Sequence, residues 1–225
     1  MIPEKRGILM VWTDIPAEVE PDFNEWYNRE HLPDRINKVP GFIRGRRFVA
    51  ISGAPKYLAL YEMQSATVMR SEPYLAINRK PDPKSRRFIP LFRNTIKGIC
   101  DTISRAGEGE GSFLALLPTG TDAGRRSEFR EWICNSFLPD VVQTRDVVAA
   151  TFAERNDEIQ EIASASYTRA GDRHMDSTIL IEAVSEAGLD TAVSSLDPGV
   201  FAGHGGTTPI MKQACAFRLL YTQHA

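Results

Sequence analysis

Apolar residues crowd positions 7–14 almost without a gap, from Gly7 through Ile8, Leu9, Met10, Val11 and Trp12 to Asp14. A short, nearly continuous apolar run ending in turn residues predicts an apolar strand. The pattern then changes period. Phe23, Trp26, Tyr27 and Leu32 recur at helical spacing, which predicts a helix over 21–38. Pro21 suits its first turn, and Val39-Pro40-Gly41 ends it. Residues 42–52 and 56–63 read as strands joined by a hairpin turn at Ser52-Gly53-Ala54-Pro55. A second helix is predicted over 65–78. A segment rich in Pro, Lys and Arg, 80–94, then leads to a strand near 96–104. Further on the pattern predicts strand 112–118, helix 125–140, strands 147–154 and 177–184, helix 187–196 and a final strand 213–222.

The chain repeats itself at an offset of 106. Residues 22–34 read DFNEWYNREHLPD and residues 128–140 read EFREWICNSFLPD, with Phe, Glu, Trp and the Leu-Pro-Asp step in register. Both halves therefore follow the order β-α-β-β-α-β, the split βαβ or ferredoxin-like unit. One such unit leaves a sheet face uncovered. Two units that cover each other form an α+β barrel. The expectation is an α+β fold of two tandem ferredoxin-like units: a first half 1–106, a Gly-rich linker 107–111 and a second, degenerate half 112–225.

Composition narrows the class. The 225 residues are 42% hydrophobic and 25% charged, close to an ordinary globular domain. A net charge of −2 gives no basic excess for nucleic acid. The balance is uneven along the chain: residues 1–110 hold 18 Lys and Arg against 14 Asp and Glu, while residues 111–225 hold 9 against 15. The first half is thus +4 and the second −6, so the halves should attract. Three scattered cysteines form no disulfide framework and no CxxC pair. The four histidines lack metal-ligand spacing. Neither a signal peptide nor an apolar run long enough for a membrane is evident, so a cytoplasmic protein without membrane or nucleic-acid partners is expected.

The run Phe23-x-x-Trp26-Tyr27-x-x-Glu30-His31-Leu32-Pro33-Asp34, then Pro40-Gly41-Phe42, Arg46-Arg47-Phe48 and Lys56-Tyr57-Leu58-Ala59-Leu60-Tyr61, resembles the dimeric α+β barrel superfamily. It is most similar to the EthD-like and methylmuconolactone-isomerase-like branch. The resemblance covers residues 7–64 well and the second half only as a degenerate repeat. It implies the barrel fold and a small-molecule ligand. Related barrels include isomerases, decarboxylases, cofactor-free monooxygenases and haem-using proteins, so the fold does not select the reaction.

The repeat serves as an internal comparison. Positions kept in both halves, such as Trp26/Trp132, Leu32/Leu138 and Pro33/Pro139, read as scaffold, with a helix break or kink expected at each proline. The changed positions cluster: Tyr27 becomes Ile133, Glu30 becomes Ser136 and His31 becomes Phe137. Tyr27 and His31 share a helix face. Histidine suits proton transfer near neutral pH, and tyrosine can donate to a developing oxyanion. Arg47 is the candidate for an arginine inside the barrel that meets an anionic substrate. Trp12 and Tyr61 are candidate cavity walls, and Trp26 and Glu30 candidate neighbours of the ligand. The expected function is cofactor-independent acid–base chemistry on an aromatic or lactone-type compound: isomerisation, elimination or decarboxylation. Cofactor-free oxygenation, or a non-catalytic ligand- or haem-binding barrel with His31 or His204 as haem ligand, are the alternatives. No metal and no cofactor are expected, and a homodimer of the fused barrel is possible on fold grounds. The Gly-rich stretch 198–208 is expected to be a flexible loop.

Overall fold

In the computed structural model the described residues are 5–166, 171–207 and 215–225, with side chains to 162 in the first stretch. The elements run in the order β1 (Gly7–Asp14), α1 (Glu20–Trp26), a π-helical turn (Tyr27–His31), α2 (Leu32–Lys38), β2 (Phe42–Ser52), β3 (Tyr57–Met63), α3 (Glu72–Arg79), α4 (Pro83–Phe88) and β4 (Arg93–Gly107). Then come β5 (Phe113–Thr119), α5 (Arg126–Trp132), a second π turn (Ile133–Phe137), α6 (Leu138–Val141), β6 (Val147–Arg155), α7 (Asp157–Ser166), β7 (Arg173–His174), β8 (Ser177–Ala183), α8 (Glu186–Ser194), α9 (Pro198–Gly203) and β9 (Cys215–His224).

Eight strands close on themselves in the order β1-β3-β2-β9-β5-β8-β6-β4, and β4 returns to pair with β1. Every pairing around this ring is antiparallel. The short β7 adds a parallel pairing on β4. The fold is therefore an α+β antiparallel barrel, with the halves joined along two seams, β2–β9 and β4–β6.

Strand alternation sorts side chains into an inner and an outer set. Ile8, Met10, Trp12, Phe48, Leu58, Leu60, Leu114, Leu116 and Phe217 belong to the cluster that fills the barrel. Trp12 meets Phe217 edge-on at 6.0 Å, a contact that spans the two halves. The outer faces carry two further cores, each under its own helices. Leu9, Tyr61 and Ile99 pack beneath Phe23, Trp26 and Leu32 in one. Ala115, Leu117 and Ile181 pack beneath Phe129, Ile133 and Leu138 in the other.

Several expectations are corrected here. The helix does not break at Pro33 or Pro139. It runs on through a π turn just ahead of each proline, where Leu32 N–H reaches Tyr27 C=O and Leu138 N–H reaches Ile133 C=O. A proline cannot donate to the carbonyl four residues back and its ring would collide there, and widening the preceding turn relieves both problems. Segment 80–94 contains α4, capped by Asp82, whose side chain accepts from Lys84 N–H and Ser85 N–H at 2.9 Å each. Helix α7 was not expected; Asn156 caps it by accepting from Ile159 N–H at 3.1 Å. Stretch 198–208 holds a short helix, α9, with Phe201 buried. Residue 208 and the first two residues of the predicted strand 213–222 lie outside the described residues. Among the described residues no helix is long and apolar enough to cross a membrane.

Candidate functional site

A cavity of about 110 Å³ lies between the helices of the first half and the outer face of β1, β3 and β4. It is not the barrel interior. Tyr27, His31 and Arg35 reach it from the first helix. Tyr61 reaches it from β3, and Tyr74 and Asn78 from α3. Leu9, Val11, Met69, Ile89 and Phe92 supply apolar wall. Gln160 and His174 approach from the second half.

The π turn sets the position of the central pair. Tyr27 opens it and His31 closes it. Their rings lie 4.7 Å apart, and Trp26 backs the imidazole at 4.5 Å. Nδ1 of His31 is enclosed and has no hydrogen-bond partner, which leaves Nε2 as the nitrogen open to the cavity. Burial, with the Arg35 and Arg47 charges added, holds the imidazole pKa well below the usual histidine value of 6.5. His31 is therefore neutral at pH 7, with a lone pair available for a proton.

Tyr61 donates to the Tyr27 hydroxyl at 3.1 Å. Burial pushes the Tyr61 pKa well above 10 and raises that of Tyr27. Both phenols stay protonated and act as neutral donors.

The remaining candidates do not meet the cavity. Arg47 points outward beneath the helix, not into the barrel. Its guanidinium donates to Asn28 Oδ1 at 2.6 Å and Asn24 Oδ1 at 2.8 Å and lies 4.3 Å over the Tyr27 ring. It fixes Tyr27 and has no side open to a ligand. The arginines on the inner side of β2 are Arg44 and Arg46, and Arg46 is bound to Glu182 at 2.6 Å and Glu62 at 3.1 Å. Trp12 falls on the inner face because β1 pairs with β3 in a register that sets Leu9, not Trp12, opposite Tyr61. Its indole donates to Pro55 C=O at 2.6 Å. Trp26 is core, stacked on Phe88 at 5.0 Å. Glu30 faces solvent and pairs with Lys84.

Arg35 is the residue that sequence reasoning missed. It is 7% exposed, and among the described residues its guanidinium has no hydrogen bond and no ion pair. The signal was within reach: Arg35 sits four residues beyond His31 on one helix face, and the same offset of 106 replaces it with Val141.

The corresponding space in the second half is filled. Phe201 of α9 packs on Trp132 at 4.9 Å and on Phe137 at 5.0 Å. His204 stacks flat on Trp132 at 4.4 Å, far in sequence from the first-half cavity and not among its lining residues.

Among the described residues no group of three His, Cys, Asp or Glu is placed to hold a metal ion. Haem is too large for this cavity. His31 Nε2 could hold its iron, but about 110 Å³ falls short even of the ~300–1,000 Å³ of ordinary small-molecule pockets. The macrocycle does not fit the site as formed.

No family model matches the chain, and no curated protein matches it in sequence. Solved structures do match in fold. An anthrone oxidase-like protein aligns with a TM-score of 0.64 at 8% identity, over 99% of this chain and 94% of its own. A monooxygenase candidate from Fusobacterium nucleatum aligns with a TM-score of 0.61 at 7% identity, over 100% and 96%. A haem-binding protein from Thermus thermophilus aligns with a TM-score of 0.55 at 8% identity, over 97% and 92%. At these identities the likeness establishes the fold, an α+β barrel shared with monooxygenase-like and haem-binding proteins, over the whole length of the chain.

Proposed function

We propose that the first-half cavity is the active site of an enzyme that moves a proton on a small aromatic or lactone-type compound without an organic cofactor. The observation that carries this reading is His31, a neutral imidazole with Nε2 open to a half-open, largely apolar cavity. Nε2 takes a proton from a carbon next to a carbonyl. The electron pair of that C–H bond moves onto the carbonyl oxygen and gives an enolate. The Tyr27 hydroxyl, itself receiving a hydrogen bond from Tyr61, donates to that oxygen. Return of the proton to another carbon is isomerisation, and loss of a leaving group is elimination. Arg47 holds Tyr27 in place.

The test is proton exchange into D₂O from a panel of lactones and aromatic ketones, read by NMR. The wild type should exchange one position of a responding compound. His31→Gln should slow it by about 10²–10⁴-fold, and Tyr27→Phe by about 10²-fold. Unchanged exchange in His31→Gln sinks the assignment.

A second reading shares the first step. The monooxygenase and anthrone oxidase names among the structural neighbours suggest that the deprotonated compound could react with O₂. Substrate-dependent oxygen consumption separates the two reactions.

We further infer that the chain is a fused pair of EthD-like units, joined at 107–111, of which 1–106 keeps the site and 112–225 has lost it. Support comes from the paired π turns at an offset of 106 and from the aromatic fill around Phe201.

A further inference from the structure

The geometry points to a substrate that carries a carboxylate, held by Arg35, about one ring's width from the carbon that His31 deprotonates. This inference rests on the reading of the cavity as an active site and adds the class of compound it takes.

Arg35 is more than nine-tenths buried, yet no carboxylate, carbonyl or aromatic face among the described residues receives its guanidinium. A buried cation without a partner is costly, and such groups are ordinarily paired. The other buried arginines in this half follow that rule. Arg44 and Arg46 have Glu62 and Glu182, and Arg47 has two asparagine side chains and three rings. Arg44 and Arg46 line a second cavity together with Glu62 and Glu182, whereas among the described residues no Asp or Glu lines the cavity onto which Arg35 opens. The missing partner is therefore supplied from outside. A guanidinium fork matches a carboxylate through two parallel hydrogen bonds.

The spacing restricts the compound. Arg35 lies four residues beyond His31 on a continuous helix, about 6 Å along its axis at 1.5 Å per residue. A ring with its carboxylate on one side and its acidic C–H on the other spans that distance. The remaining wall is apolar and aromatic, as a planar ring requires.

The experiment is a titration of the full chain with benzoate and phenylacetate, each beside its neutral amide, read by calorimetry or chemical-shift change. Wild type should bind at least one acid about tenfold or more tightly than its amide, the size of one charge-assisted hydrogen bond. Arg35→Met should erase that preference while amide binding and the circular dichroism spectrum persist, and Arg35→Lys should keep part of it. A panel in which no acid outbinds its amide overturns the inference, as does an Arg35→Met protein that keeps the preference. If Arg35→Met does not fold, the acid-over-amide comparison in wild type and Arg35→Lys still decides. Failure of the enzymatic reading looks different: acids bind through Arg35, His31→Gln retains the preference, and no compound exchanges a proton. Exchange of neutral compounds only, with no preference for acids, keeps the enzyme and removes the carboxylate.

Discussion

The most consequential single group is the His31 imidazole. Its pKa is depressed by burial first and by the Arg35 and Arg47 charges second. Tyr27 and Arg35 face it from its own helix, Arg47 and Tyr61 from the sheet, Tyr74 from α3, and Lys97 and His174 also line the cavity. An unfolded chain protonates this histidine near pH 6.5, whereas the native protein does not. The group therefore contributes full stability above about pH 6.5, and that stability is lost as the pH falls below it. Titration by NMR should find one imidazole that stays neutral well below 6.5, and Arg35→Met should move it up. An imidazole at position 31 that titrates at 6.5 or higher would contradict the neutral base. Much of this was legible in the sequence, because comparing the two halves flags Tyr27 and His31 as positions where only one half keeps titratable chemistry. The roles of Trp12 and Arg47 were not legible. Which face of a strand meets the helices depends on the β1–β3 register, and a sequence without its partner strand does not supply that.

At the scale of elements, the π turn is the device that aims the site. It places Tyr27 and His31 at its two ends, and the proline that causes it is visible in the sequence although its effect, a widened turn and not a break, is not. Glycines set the close approaches that hold strands under their neighbours. A Cβ on Gly7 would stand 2.3 Å from Ala66 N, and one on Gly111 would stand 2.3 Å from Ala183 O. Helix α9 escaped the sequence reading because PGVFAG is a poor helix former; the burial of Phe201 holds it. Phe201→Ala should cost about 3–5 kcal/mol in chemical denaturation, since it empties the aromatic fill of the second half. Ligand binding in the first half should persist. Loss of less than about 1 kcal/mol would mean that α9 lies loosely on the surface.

Across the whole molecule, the barrel was legible from two βαββαβ patterns, and its closure follows from pairing each half's strands with the other's along β2–β9 and β4–β6. Unfolding should therefore be one cooperative transition, with no stage at which a single half survives. Glu182→Gln tests the seam directly. Glu182 is 2% exposed and accepts from Arg46, Arg105 and the Gly111 N–H, so the substitution leaves a buried arginine short of its counter-charge. A loss of about 3–5 kcal/mol is expected, still in a single transition, and two separated transitions would show that the halves fold alone. The charge split seen along the chain has a counterpart here. Among the described residues, all four ion pairs that cross between halves run one way: Arg46–Glu182, Arg105–Glu182, Arg70–Glu158 and Lys97–Asp172 each set a first-half cation on a second-half acid. Such a seam carries an address as well as an adhesive. Were the chain cut into two polypeptides, each fragment would repel its own kind and accept the other, and the asymmetric barrel would form in preference to either symmetric one.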